Sequence, residues 1–233
     1  MKYIPILYSS PMVLALLEDT KTMTRRTKGL AFINESESDW EYKGTDTLIE
    51  IETICHIMRN KTYGSSNAII CPYGQPGDVL WVRERVYPRY VKGGYQGFRM
   101  QYPKENPYRY YADDPGQSTH GNGWKPSIHM PKTACRIFLE VTDVRVERLQ
   151  DISEEDAKEE GVERIKGFYK NYDGTSDFFD TAHFKWNDEN RWISAAQSSF
   201  RTLWYSINGP ASWEANHWVW VISFKKVERP KTF

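Results

Sequence analysis

The chain has 233 residues, with 31 basic and 31 acidic side chains and a formal net charge of zero, which disfavours a protein that holds long stretches of nucleic acid by charge alone. Hydrophobic residues make up 39% and aromatic residues 15%, enough for one sizeable core with aromatic rings left for barrel packing or for stacking on a base. Cys55, Cys71 and Cys135 form no CxxC unit and no apolar run approaches the ~20 residues of a membrane span, so a cytoplasmic chain with no membrane partner, metal or cofactor is expected.

Residues 2–8 are apolar and β-branched and predict a strand. Ser9, Ser10 and Pro11 then supply capping hydroxyls and an early helical proline. Met12, Val13, Leu16 and Leu17 give the helix an apolar face that runs out near Asp19. The Thr-rich stretch 20–26 is expected to be extended. Residues 27–75 turn polar and read as a loop-dominated insertion, with a short helix where Ile49, Ile51, Ile54 and Met58 recur.

Pro76, Gly77 and Asp78 mark a turn into a strand over 79–86. Residues 88–130 are loop-rich, with a short strand at 108–112. The clearest β segment is 134–149. Its apolar residues change parity across Thr142 and Asp143, which predicts a bulge or corner. A capped, acid-rich helix starts near Asp151 and ends at Gly161. Residues 162–190 form a second polar insertion. An amphipathic helix over 193–207 stops at Asn208, Gly209 and Pro210, and Trp218–Val227 closes the chain as a strand. The order implies one α+β domain over 1–233: a small mixed β-barrel with helices at its openings and two loop-rich insertions.

The basic run Lys21, Thr22, Met23, Thr24, Arg25, Arg26 is the most conspicuous polar cluster. A solvated turn is the ordinary reading of such a run. Lys21, Thr22, Thr24 and Arg26 after an apolar helix also resemble the signature of ASCH-domain proteins, members of the PUA-like superfamily. Gly77, Asp78, Val79 and Leu80 are similar to the family's turn into a core strand. Glu140, Val141 and Thr142, followed by Ile152, Ser153, Glu154, Glu155, Ala157, Glu160 and Gly161, resemble its strand-then-helix. Residues 218–225 resemble its closing strand, and the layout is similar to the longer phage and prophage members.

The resemblance implies a PUA-like barrel. It also implies a pocket in which Lys21, Thr24 and Glu160 hydrolyse an acylated nucleoside such as N4-acetylcytidine. Thr24 would attack or position water, Lys21 would act as base or hold the oxyanion, and Glu160 would protonate the leaving amine. Lys21 and Thr24 have opposite parity in an extended segment, so a twist or bulge is needed to bring them together.

Arg26 is a candidate partner for a phosphate or for Glu160. Arg83 and Glu84 are adjacent in a strand and must face opposite sides. Lys125, Ser127 and His129 alternate along a segment expected to be extended. These six are candidate substrate-binding residues. The other function class is a non-catalytic module that binds RNA or single-stranded DNA, including a modified base, and it rests on the Arg25–Arg26 patch and the aromatic content.

Overall fold

A computed structural model describes residues 1–88, 108–116, 123–170, 176–183 and 196–233. These form strands β1 (Tyr3–Leu7), β2 (Met23–Arg26), β3 (Trp40–Leu48), β4 (Thr53–Asn60), β5 (Ser66–Ile69), β6 (Val79–Arg83), β7 (Val86–Pro88), β8 (Tyr108–Tyr110), β9 (Phe138–Arg148), β10 (Glu163–Lys170), β11 (Ser176–His183) and β12 (Trp218–Val227). The helices are α1 (Ser10–Leu17), α2 (Ala31–Asn34), α3 (Glu154–Glu159), α4 (Ala196–Asn208) and α5 (Ala211–Glu214). Among the described residues, no helix is long and apolar enough to cross a membrane.

The main sheet is five-stranded, ordered β1-β6-β9-β12-β2. β1 runs parallel to β6, and the other neighbours are antiparallel. β12 is paired on both sides and buries every residue of its WVWVI run, so its near-continuous apolar sequence follows from burial on both faces. The parity change in β9 is a bulge: Ser223 pairs with Asp143 and Phe224 with Val141, leaving Thr142 without an opposite residue. Buried residues of β9 then switch from Leu139 and Val141 to Val144 and Val146.

The α+β class expected from the sequence holds, but the barrel does not close by hydrogen bonding. β1 and β2 remain edges of an open sheet. The gap between them is bridged by a side chain, since Arg26 of β2 donates from NH2 to the Leu7 carbonyl of β1 at 2.9 Å.

Four expectations are corrected. The helix expected near residues 48–59 is a strand. Thr53, Cys55, His56, Met58 and Asn60 of β4 are buried, and β4 pairs along its length with β3. A sheet β3-β4-β5 therefore replaces the loops expected over 27–75. His56 of this sheet meets the Trp220 ring edge-on at 4.9 Å, so the added sheet packs on the core. The polar stretch 162–190 holds the hairpin β10–β11. The strand over 79–86 breaks at Glu84 and Arg85, where burial of Glu84 against Arg136 interrupts the ladder. The start of the helix over 193–207 and parts of the expected loops at 88–130 and 162–190 lie outside the described residues.

Candidate active site

The first turn after α1 sets the position of Lys21. The amides of Thr20 and Lys21 both donate to the Ala15 carbonyl, and Asp19 adopts φ 58° to reverse the chain. Lys21 then forms an isolated antiparallel bridge with Glu160, and the Thr22 amide donates to the Glu159 carbonyl. The Thr22 carbonyl accepts from the Phe224 amide of β12, and from Met23 the chain runs beside β12 as β2. Lys21 and Thr24 thus belong to two different backbone pairings, so strand parity does not separate them.

Glu160 is fixed from the other side. Ser153 caps α3 by accepting from the Asp156 amide, and the helix ends at Glu160. Gly161 follows at φ 81°, where a Cβ would sit 2.8 Å from the Cβ of Lys21. Glycine is required twice there, for the left-handed backbone and for the close approach of the two segments.

The side chains meet in a buried charge network. Lys21 Nζ lies 2.7 Å from Glu160 Oε2 and donates to the Glu160 carbonyl at 2.7 Å. Arg25 NH1 holds Glu160 Oε1 at 3.2 Å, and its NH2 reaches Glu147 at 2.5 Å and Asp156 at 2.6 Å. Arg145 completes the set against Asp156 and Glu147. Burial pushes the Lys21 ammonium below its ordinary pKa, with Glu160 pulling the other way. Burial also works against the Arg25 charge, but Glu160 and Glu147 outweigh it and raise its pKa.

The network floors a cavity of about 470 Å³ bounded by the end of β1, the start of α1, β2, and the Phe200–Asn208 side of α4. Lys21, Thr24, Glu160, Arg26 and Ser127 all line it. Tyr8 does too, with Arg26 stacked over its ring at 4.9 Å. Burial raises the Tyr8 phenol to about 12. Thr24 and Arg26 temper that rise, yet neither meets hydrogen-bonding geometry with the phenol oxygen.

The remaining sequence candidates lie elsewhere. Glu84 is buried in a two-point pair with Arg136 at 2.8 and 2.9 Å, under a separate apolar cluster. Arg83 donates to the Ile128 carbonyl and stacks on Trp81. Ser127, Ile128 and His129 form a 3-10 turn rather than an extended run, so Lys125, Ser127 and His129 do not share a face. Ser127 reaches the cavity, Lys125 pairs its backbone with Val86, and His129 is exposed. Arg26 does not pair with Glu160, whose oxygens are taken by Lys21 and Arg25. Arg25, expected as half of a surface patch, is buried.

Sequence reasoning missed Tyr8, Arg85, Trp204 and the carboxylates Glu147 and Asp156. One signal was available: Arg145 and Glu147 alternate with Val144 and Val146, which puts a charged row on one face of a core strand. Among the described residues, no group of His, Cys, Asp or Glu is arranged to hold a metal ion. In comparisons with known proteins, no family model, no curated protein and no solved structure matches this chain.

Proposed function

We propose that this chain is an ASCH-type, PUA-like amidohydrolase acting on an acylated nucleoside such as N4-acetylcytidine. The observation that carries this reading is the buried Lys21–Glu160 pair at 2.7 Å, open to a cavity that Thr24 also lines. A curled five-stranded sheet whose two edges meet through Arg26 supports the PUA-like part. A cavity of about 470 Å³ is of the size that takes one small ligand.

In this reading neutral Lys21 is the proton carrier, and its lowered pKa makes that form accessible. Thr24 Oγ adds to the acetyl carbon as its proton passes to Lys21, and the carbonyl electrons move to oxygen, which the newly charged Lys21 ammonium holds. The C–N bond then breaks, and Lys21 returns the proton to the departing amine. Water hydrolyses the Thr24 ester by the same route, giving cytidine and acetic acid. Both Glu160 oxygens are engaged by Lys21 and Arg25, so Glu160 orients Lys21 and the return of the proton falls to Lys21.

The binding-module reading loses part of its motive, because Arg25 of the Arg25–Arg26 patch is consumed inside the protein. Incubation of purified protein with N4-acetylcytidine, followed by chromatography, tests the proposal. Wild type should release cytidine, and Lys21→Ala and Glu160→Gln should lose about a hundred-fold or more. Equal release by wild type and Lys21→Ala would sink the assigned roles, and no release by wild type would retire this substrate.

A further inference from the structure

The charges around the cavity do not balance. Lys21 and Arg25 are neutralised by Glu160, Glu147 and Asp156. Arg26, Lys28 and Arg85 also line the cavity, and among the described residues none of them has a carboxylate within ion-pair distance. Arg26 spends one nitrogen on the Leu7 carbonyl, Arg85 rests on the Tyr111 ring at 4.0 Å, and the Lys28 side chain is exposed. A chain of zero net charge therefore carries a local surplus of three positive charges at one cavity.

A second observation points the same way. Among the described residues, five buried side-chain atoms lack a hydrogen-bond partner. Three of them, Tyr8 OH, Arg26 Nε and Trp204 Nε1, belong to residues that line this cavity. Arg26 Nε and Trp204 Nε1 are donors only, and the phenol can donate. Buried donors normally find a partner, so unmatched ones gathered around a cavity describe a ligand that presents acceptors.

We propose that the cavity takes an anionic ligand, a nucleoside monophosphate rather than a free nucleoside, with its phosphate held by Arg26, Lys28 and Arg85. This rests on the nucleoside reading above and names its substrate class. A phosphate monoester carries close to two negative charges and three acceptor oxygens, which suits three cations better than a single carboxylate does. Two of the three are guanidinium groups, whose planar donor forks match phosphate oxygens. A long polymer is the weaker fit, because the surplus is gathered at one cavity on a protein with no overall basic charge.

Calorimetric titration with cytidine 5′-monophosphate, cytidine and inorganic phosphate tests this, alongside turnover of N4-acetylcytidine with and without a 5′-phosphate. The monophosphate should bind at least about ten-fold tighter than cytidine, since charge-assisted hydrogen bonds are the strong ones. Added salt should shrink that preference. Arg85→Gln and Lys28→Gln change exposed side chains, keep the fold by circular dichroism, and should each cut the ratio of the two affinities several-fold.

Equal affinity for the two ligands overturns the inference, even where N4-acetylcytidine is hydrolysed and the amidohydrolase reading stands. A monophosphate preference without turnover of either substrate upholds the anion site and retires the reaction. Inorganic phosphate binding as tightly as the monophosphate, or a short oligonucleotide binding far tighter, overturns the mononucleotide assignment.

Discussion

Two buried charge clusters in this molecule look alike by composition and differ in what surrounds them. Glu84 and Arg136 form a matched two-point pair, with Arg136 stacked on the Tyr110 ring at 3.8 Å and Asp113 on its outer nitrogen at 2.8 Å. Glu84 does not line the cavity beside Lys21, and both its oxygens are satisfied by Arg136. The Lys21, Arg25 and Glu160 cluster is buried more deeply, and it lies beside a cavity and next to donors that find no partner. Burial of charge therefore does not mark a site. Burial of charge next to open volume and unmatched donors does.

The largest expected effect breaks the sealed cluster. Arg136→Met leaves Glu84 buried with no counter-charge and should cost about 3–5 kcal/mol in urea unfolding. Burial already raises the Glu84 pKa, with Arg136 opposing. The folded state therefore keeps a proton that the unfolded chain releases, and stability falls as pH rises through the folded pKa. Removing Arg136 strengthens that trend, so the deficit of the variant should shrink at acid pH. A deficit that stays constant with pH would mean that Glu84 is not buried charged.

Lys21→Met should abolish turnover and yet change stability by only about 1–2 kcal/mol, because Glu160 Oε1 keeps Arg25 and a desolvated ammonium is removed. The sign of its pH dependence is opposite. The folded Lys21 pKa is depressed, so the unfolded chain binds more protons in the window below 10.5 and stability rises with pH there. Wild type should gain on Lys21→Met between neutral pH and pH 10 in parallel urea titrations. A loss over that window would place the Lys21 pKa above its ordinary value and remove its role as base.

What the sequence revealed, and what it hid, divides along the same line. The β9 bulge was legible because Val141 and Val144 sit on opposite parities within one strand, and a capped, acid-rich start and the Gly161 stop of α3 were legible because both signals are local. Lys21, Thr24 and Glu160 could be named through the family resemblance. The role of Arg25 could not, because its partners Glu147, Asp156 and Glu160 lie 122, 131 and 135 residues away. β4 was misread as helix because Ile51, Ile54 and Met58 fit a three- and four-residue spacing. Pairing with β3 decided the outcome, and Ile49 and Ile51 remain exposed in the turn between the two strands.

The smallest expected effect separates the two clusters most sharply. Tyr8→Phe deletes a buried hydroxyl that has no hydrogen-bond partner, so it should raise stability by about 1 kcal/mol. The Tyr8 phenol titrates at about 12 in the folded protein against an ordinary value of 10.0. The folded chain therefore holds a proton that the unfolded chain gives up between those values. That contribution is fully present below pH 10 and is lost as pH rises toward 12, so the advantage of the variant should widen across that interval. Ligand affinity should move the other way, because the ligand loses a donor on the cavity wall. A gain in stability paired with a loss in binding is what a group kept for a ligand produces. In the Glu84–Arg136 cluster, where every partner is internal, truncation should only destabilise. If Tyr8→Phe loses stability, the phenol has an internal partner and the contrast between the two clusters fails at that residue.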